Sequence, residues 1–176
     1  MWDFWILRED DTYHMWYLQA PKSVGDPELR HWNVSIGQAV SYDLLTWEEV
    51  GTAIAPGARG AWDDAATWTG CTVSYAGRWY LFYTGANFSE DALIQRIGVA
   101  VSDDLASWDK HPANPILEAD PTWYEQLDLN AWHDLAWRDP WVYAGSDGFE
   151  MLITARSSTG PPEDRGVIGH AHSSDL

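Results

Sequence analysis

Apolar and aromatic residues recur along this chain in short runs, and turn-forming residues bound most of them. The clearest runs are Thr12-Tyr13-His14-Met15-Trp16-Tyr17, Arg78-Trp79-Tyr80-Leu81-Phe82-Tyr83 and Gly148-Phe149-Glu150-Met151-Leu152-Ile153, which follow turns at Asp10-Asp11, Ala76-Gly77 and Asp147-Gly148. Aromatic and branched side chains in short stretches fit a pleated, half-buried surface, so these runs read as β-strands. No segment keeps a helical period. The pattern predicts an all-β fold with at most a turn or two of helix in its loops.

The runs repeat in a fixed order. Ile36-Gly37-Gln38-Ala39-Val40-Ser41 returns as Ile97-Gly98-Val99-Ala100-Val101-Ser102 and as Ile168-Gly169-His170-Ala171-His172-Ser173. The first two copies lead into Asp43-Leu44 then Trp47, and Asp104-Leu105 then Trp108; the third ends on Asp175-Leu176. A further aromatic-rich stretch opens each unit near Trp2, Trp68 and Trp137. Each unit therefore reads as strand A, tight turn, strand B, long loop, strand C, short turn and strand D. Four antiparallel strands in about 60 to 70 residues suit one blade of a β-propeller. The chain is expected to form one domain, 1–176, with blades near 2–52, 66–117 and 135–176.

Loop length indicates the working face. The B–C loops, roughly 19–32, 85–95 and 155–165, and the D–A connections, around 51–66 and 111–136, are long, and in a meander they share one face of the disc. Every strand A begins at that face. Aligning the units places Asp3, Gly70 and Asp139 in register there. Two carboxylates facing each other across one channel mouth suit hydrolysis of a glycosidic bond, in which one attacks or activates water and another stabilises an oxocarbenium-like centre. An isolated Asp at a strand start can equally be a turn residue that binds backbone N–H groups. Asp43, Asp104 and Asp175 recur in every unit on the short-turn face, so they are assigned to turns.

Composition narrows the partners. Acids outnumber bases 27 to 10, for a net charge of −17, and such a surface repels phosphate backbones and anionic headgroups. No nucleic-acid or membrane partner is expected. No apolar run is long enough to cross a bilayer, and no export signal is visible, which favours a soluble, cytoplasmic protein. The chain has 13 tryptophans, which can pack between sheets or stack on the C–H face of a sugar ring. The single cysteine, Cys71, has no partner for an internal disulfide and no His placed to activate it, so it reads as a small buried residue. His170 and His172 share a strand face but lack further visible ligands; no metal and no cofactor are expected.

Trp137-Arg138-Asp139-Pro140 resembles the Arg-Asp-Pro motif of family 32 fructoside-cleaving glycosidases and their relatives in families 43 and 68. Trp68-Thr69-Gly70-Cys71 is similar to that family's aromatic-Ser-Gly-Ser stretch, and Tyr13-His14-Met15-Trp16-Tyr17 to its Tyr-His-Leu-Phe-Tyr strand. Ile36-Gly37-Gln38-Ala39 through Trp47 is similar to its Trp-Gly-His-Ala segment and the turn that follows. The resemblance implies a five-bladed propeller, of which about three blades are present, acting on a small-molecule or oligosaccharide substrate. It makes Asp139 the transition-state stabiliser and puts Asp3 at the nucleophile position. The family's Trp-Met-Asn-Asp-Pro-Asn-Gly is replaced here by Trp2-Asp3-Phe4-Trp5, and an inverting enzyme of the family 43 pattern would instead use Asp3 as the base. Trp2, Trp68, Thr69, Arg138, His31 and Gln19 are the expected substrate-binding residues, although Leu18 occupies the strand-B glutamine register and Ile36 replaces a substrate-facing Trp. Arg138 could bind sugar hydroxyls or hold Asp139 ionised. His133 and Arg156 lie in or beside the same loops. The family's general acid, a Glu on a later blade, would fall beyond Leu176, so the chain is expected to be an amino-terminal fragment, inactive alone. A non-catalytic carbohydrate-binding propeller and a glycoside phosphorylase remain the alternatives.

Overall fold

The computed structural model describes residues 1–176. Its first sheet joins β1 (Trp2–Glu9), β2 (Thr12–Gln19), β3 (Ser35–Ser41) and β4 (Glu48–Ile54) in that spatial order. The second joins β5 (Ala66–Tyr75), β6 (Arg78–Ala86), β7 (Arg96–Ser102) and β8 (Asp109–Lys110), and the third joins β9 (Trp137–Ala144), β10 (Phe149–Arg156) and β11 (Gly166–Ser173). All pairings between these strands are antiparallel. Helix is limited to short 3-10 turns at Lys22–Val24, Pro27–Trp32, Phe88–Glu90 and Pro162–Asp164, all in the B–C loops. No helix is long and apolar enough to cross a membrane.

The third sheet departs from the four-strand expectation. It joins three strands only, the A, B and C strands of its unit. The second sheet's fourth strand is itself short, pairing only Ala100 with Lys110 and Val101 with Asp109.

The middle sheet is buried on both faces, which explains its nearly continuous apolar strands. Leu81, Tyr83 and Ala100 face the first sheet, where they pack with Trp5, Trp16, Leu18, Ile36 and Ile54. Phe82, Ile97 and Val99 face the third, against Trp137, Val142, Met151 and Ile153. Successive side chains on a strand point to opposite faces, so adjacent residues of β6 enter different cores. Glycine is required where rings press on the sheet: a Cβ at Gly98 would lie 2.5 Å from a ring carbon of Trp62.

The Ser-x-Asp-Leu turns are built as the repeat implies. Asp43 Oδ1 accepts from the N–H groups of Leu45 and Thr46, and Asp104 Oδ1 from those of Ala106 and Ser107. These backbone bonds hold both carboxyls below the usual carboxylate range, and the following Leu44 and Leu105 take left-handed φ values of 64° and 60°.

Candidate active site

Strand A of each sheet is interrupted near its start. β1 loses register with β2 between Trp2 and Phe4, β5 with β6 between Trp68 and Gly70, and β9 with β10 where Arg138 pairs with Thr154 but Trp141 with Leu152. A bulge leaves a residue unpaired and re-aims its side chain. Asp3 and Thr69 are the unpaired residues of the first two sheets, and Asp139 lies in the bulge of the third. Asp3 and Asp139 have φ of 40° and 57°, a left-handed conformation that a short polar side chain tolerates better than most. The register is therefore one residue different from the expected set in the middle sheet. Thr69, not Gly70, occupies the position equivalent to Asp3, and Gly70 follows it because a Cβ there would collide with the Phe82 carbonyl oxygen.

The three bulges open into one cleft of about 600 Å³ lined by Trp2, Asp3, His31, Trp68, Thr69, Arg138 and Asp139, together with Leu18, Glu28, Trp32, Gln95, His133 and Asp134 among others. Thr69 Oγ1 lies 3.4 Å from Asp3 Oδ2 and donates to it. The Thr84 hydroxyl ties the second bulge to the third, donating to the Thr69 carbonyl (3.1 Å) and accepting from the Asp139 N–H (2.9 Å). Trp68 Nε1 donates to the His31 carbonyl (3.1 Å), while Trp2 meets the His31 ring edge-on and Trp32 meets Trp68 in the same way. These contacts hold the loop after β2 against the cleft. Gln19 does not line it; its amide donates to the Ser35 and Thr52 hydroxyls. Trp5 and Trp137 are 7% and 2% exposed and serve the cores between sheets.

Arg138 is held by its own network. Its Nη1 donates to Asp134 Oδ2 and Gln95 Oε1, each at 3.0 Å, and Gln95 Nε2 donates to the same Asp134 oxygen at 2.9 Å. The Arg138 Nε lies 3.8 Å from Asp139 Oδ2. Burial pushes the Asp139 carboxyl above its ordinary value; Arg138 and a bond from Thr154 pull it down, and the Asp3 charge adds to the rise. Removal from water thus outweighs the guanidinium. Gln95, Asp134 and Thr84 carried no visible sequence signal.

Two other sequence-singled residues lie away from the cleft. Arg156 is buried in an ion pair with Glu125 at 2.5 Å, and Arg165 joins the same carboxylate at 2.8 Å. Cys71 is buried, accepts from the Val142 N–H, and its thiol is pushed up to about 12 by burial, which leaves it unreactive.

A model of the "Glycosyl hydrolases family 32 N-terminal domain" matches residues 5–168. The sucrose:sucrose 1-fructosyltransferase of Festuca arundinacea is 33% identical over 139 residues, covering 68% of this chain and 19% of that protein. The sucrose-6-phosphate hydrolase of Zymomonas mobilis is 30% identical over 169 residues, covering 93% of this chain and 29% of that protein. Among solved structures, an inulosucrase from Halalkalicoccus jeotgali bound to kestose superposes with a TM-score of 0.76 at 27% identity, over 98% of this chain and 49% of that one. The chain thus spans less than a third of the two curated relatives.

Proposed function

The chain belongs to glycosyl hydrolase family 32, and on that premise we propose that the protein cleaves or transfers terminal fructosyl units of small sugars and oligosaccharides such as sucrose. The observation that carries this reading is the pair of carboxylates, Asp3 and Asp139, on corresponding bulges that open into one aromatic-lined cleft. Asp3 is assigned to the anomeric carbon: its carboxylate attacks, a covalent fructosyl-enzyme forms, and water or an acceptor sugar displaces it. Thr69 donates to Asp3 and would fix the attacking oxygen's orientation. Asp139 accepts hydrogen bonds from ring hydroxyls and stabilises positive charge that develops on the sugar. Arg138, held in place by Asp134 and Gln95, lies 3.8 Å from Asp139 and favours its charged form, although not enough to offset burial. Trp2, Trp68 and His31 offer ring surfaces to the apolar face of the sugar.

Protonation of the leaving oxygen needs a third carboxyl. Asp134 is occupied by Arg138 and Gln95, and the donor is assigned to a glutamate outside residues 1–176. A partner of nucleic acid or anionic lipid is disfavoured by the charge of −17. The reading is tested by assaying sucrose, kestose and aryl arabinosides with the complete gene product and with its Asp3→Asn and Asp139→Asn variants. Asn keeps the size and the tolerance of left-handed φ but removes the charge. Each variant is expected to lose about 10²- to 10³-fold or more in kcat; losses below tenfold in both would return the two residues to a turn role.

A further inference from the structure

The third sheet carries a second group of chemistry-bearing side chains, on the face turned away from the middle sheet. Glu150 of β10 pairs directly with His172 of β11, and Leu152 pairs with His170. Directly opposed residues on one sheet face have Cβ atoms about 4.5 to 5.5 Å apart, so Glu150 is set between the two imidazoles. Glu150 Oε2 lies 2.6 Å from His170 Nε2, and Oε1 lies 3.2 Å from His172 Nδ1. The turn before β10 adds Asp147, and ligand atoms of Asp147, Glu150 and His172 all lie within 4.8 Å of one another. The sequence pattern leaves His170 and His172 without further ligands; the β10–β11 register and the Asp147-Gly148 turn supply them.

We propose that Asp147, Glu150 and His172 form a binding site for a borderline divalent cation of the zinc class, with His170 orienting Glu150. Tetrahedral zinc with ligands at about 2.0 to 2.2 Å keeps them about 3.3 to 3.6 Å apart. Closing from 4.8 Å needs only small rotations of these side chains. One imidazole and two carboxylates, with the fourth position left to water, is a donor set that zinc accepts. Calcium and magnesium prefer more oxygen donors than this corner offers. The bond from His170 to the second Glu150 oxygen is the kind of outer contact that sets a ligand's orientation. The surrounding charge of −17 favours any cation, which makes the imidazole dependence the discriminating feature.

The test uses the full chain. Zinc chloride titrated by calorimetry, and cobalt(II) followed by its visible absorption, are expected to give one site per chain; magnesium and calcium at equal concentration are not expected to compete. Glu150→Gln and His172→Asn should each abolish the site, and His170→Asn should weaken it about 10- to 100-fold, with unchanged far-ultraviolet circular dichroism. As a check that needs no variant, zinc should protect His172 of the unmodified protein from carbethoxylation read by mass spectrometry. No binding, binding indifferent to these substitutions, or equal His172 labelling with and without zinc would overturn the site and leave a cross-strand His–Glu–His cluster.

Discussion

The Thr84 hydroxyl is fully buried and joins two strands that carry the cleft. Thr84→Val keeps its shape but strands the Asp139 N–H and the Thr69 carbonyl. Leaving a buried polar group unpaired costs about 1 to 3 kcal/mol, so the variant should unfold at lower urea and, in an active protein, lose kcat through a misplaced Asp139. A second expectation follows from the raised Asp139 carboxyl. Its folded pKa lies above its unfolded one, so the fold favours the protonated form and loses stability as pH rises through that interval. Asp139→Asn should therefore be more stable than the parent at pH 7, with the advantage vanishing once pH falls below the ordinary Asp range. Arg138→Gln should raise the Asp139 midpoint further in a carboxyl-detected NMR titration. An unmoved midpoint would mean that Arg138 serves Asp134 alone.

At the scale of elements, the bulges matter more than the strands that contain them. A regular β5 would turn Thr69 into the ladder and away from Asp3. Gly70 permits the bulge, since a Cβ there would lie 1.8 Å from the Phe82 carbonyl oxygen. Backbone cannot yield as a flexible side chain can, so Gly70→Ala should cost about 1 to 3 kcal/mol or more, read as a lower urea midpoint. The same change should reduce sugar affinity by displacing Thr69. The Ser-x-Asp-Leu turns, by contrast, are local devices: Asp43 and Asp104 each accept from the N–H groups two and three residues on, and the motif alone is sufficient to place them.

For the whole molecule, the decisive feature is the difference between the inner and outer sheets. The middle sheet is covered on both faces, whereas β1 exposes Phe4 and Ile6 and β9 exposes Trp141 and Tyr143. Exposed apolar side chains of this kind invite association. The chain is expected to bind 8-anilinonaphthalene-1-sulfonate and to self-associate with rising concentration in light scattering. A monomer that stays dark with the dye would show that these faces are covered some other way.

Strand type, the threefold repeat, the turn aspartates and the face that holds Asp3 and Asp139 were all legible in the chain, because alternation, turn chemistry and repetition act over a few neighbouring residues. The Gln95–Asp134–Arg138 network, the Thr84 bridge, the displacement of Gln19 from the cleft and the meeting of Asp147 and Glu150 with His172 were not. They depend on how far each sheet is rotated on the one before it, on where a bulge inserts its extra residue, and on the path of loops whose contacting ends lie tens of residues apart. Those are settled only when the cores between sheets pack.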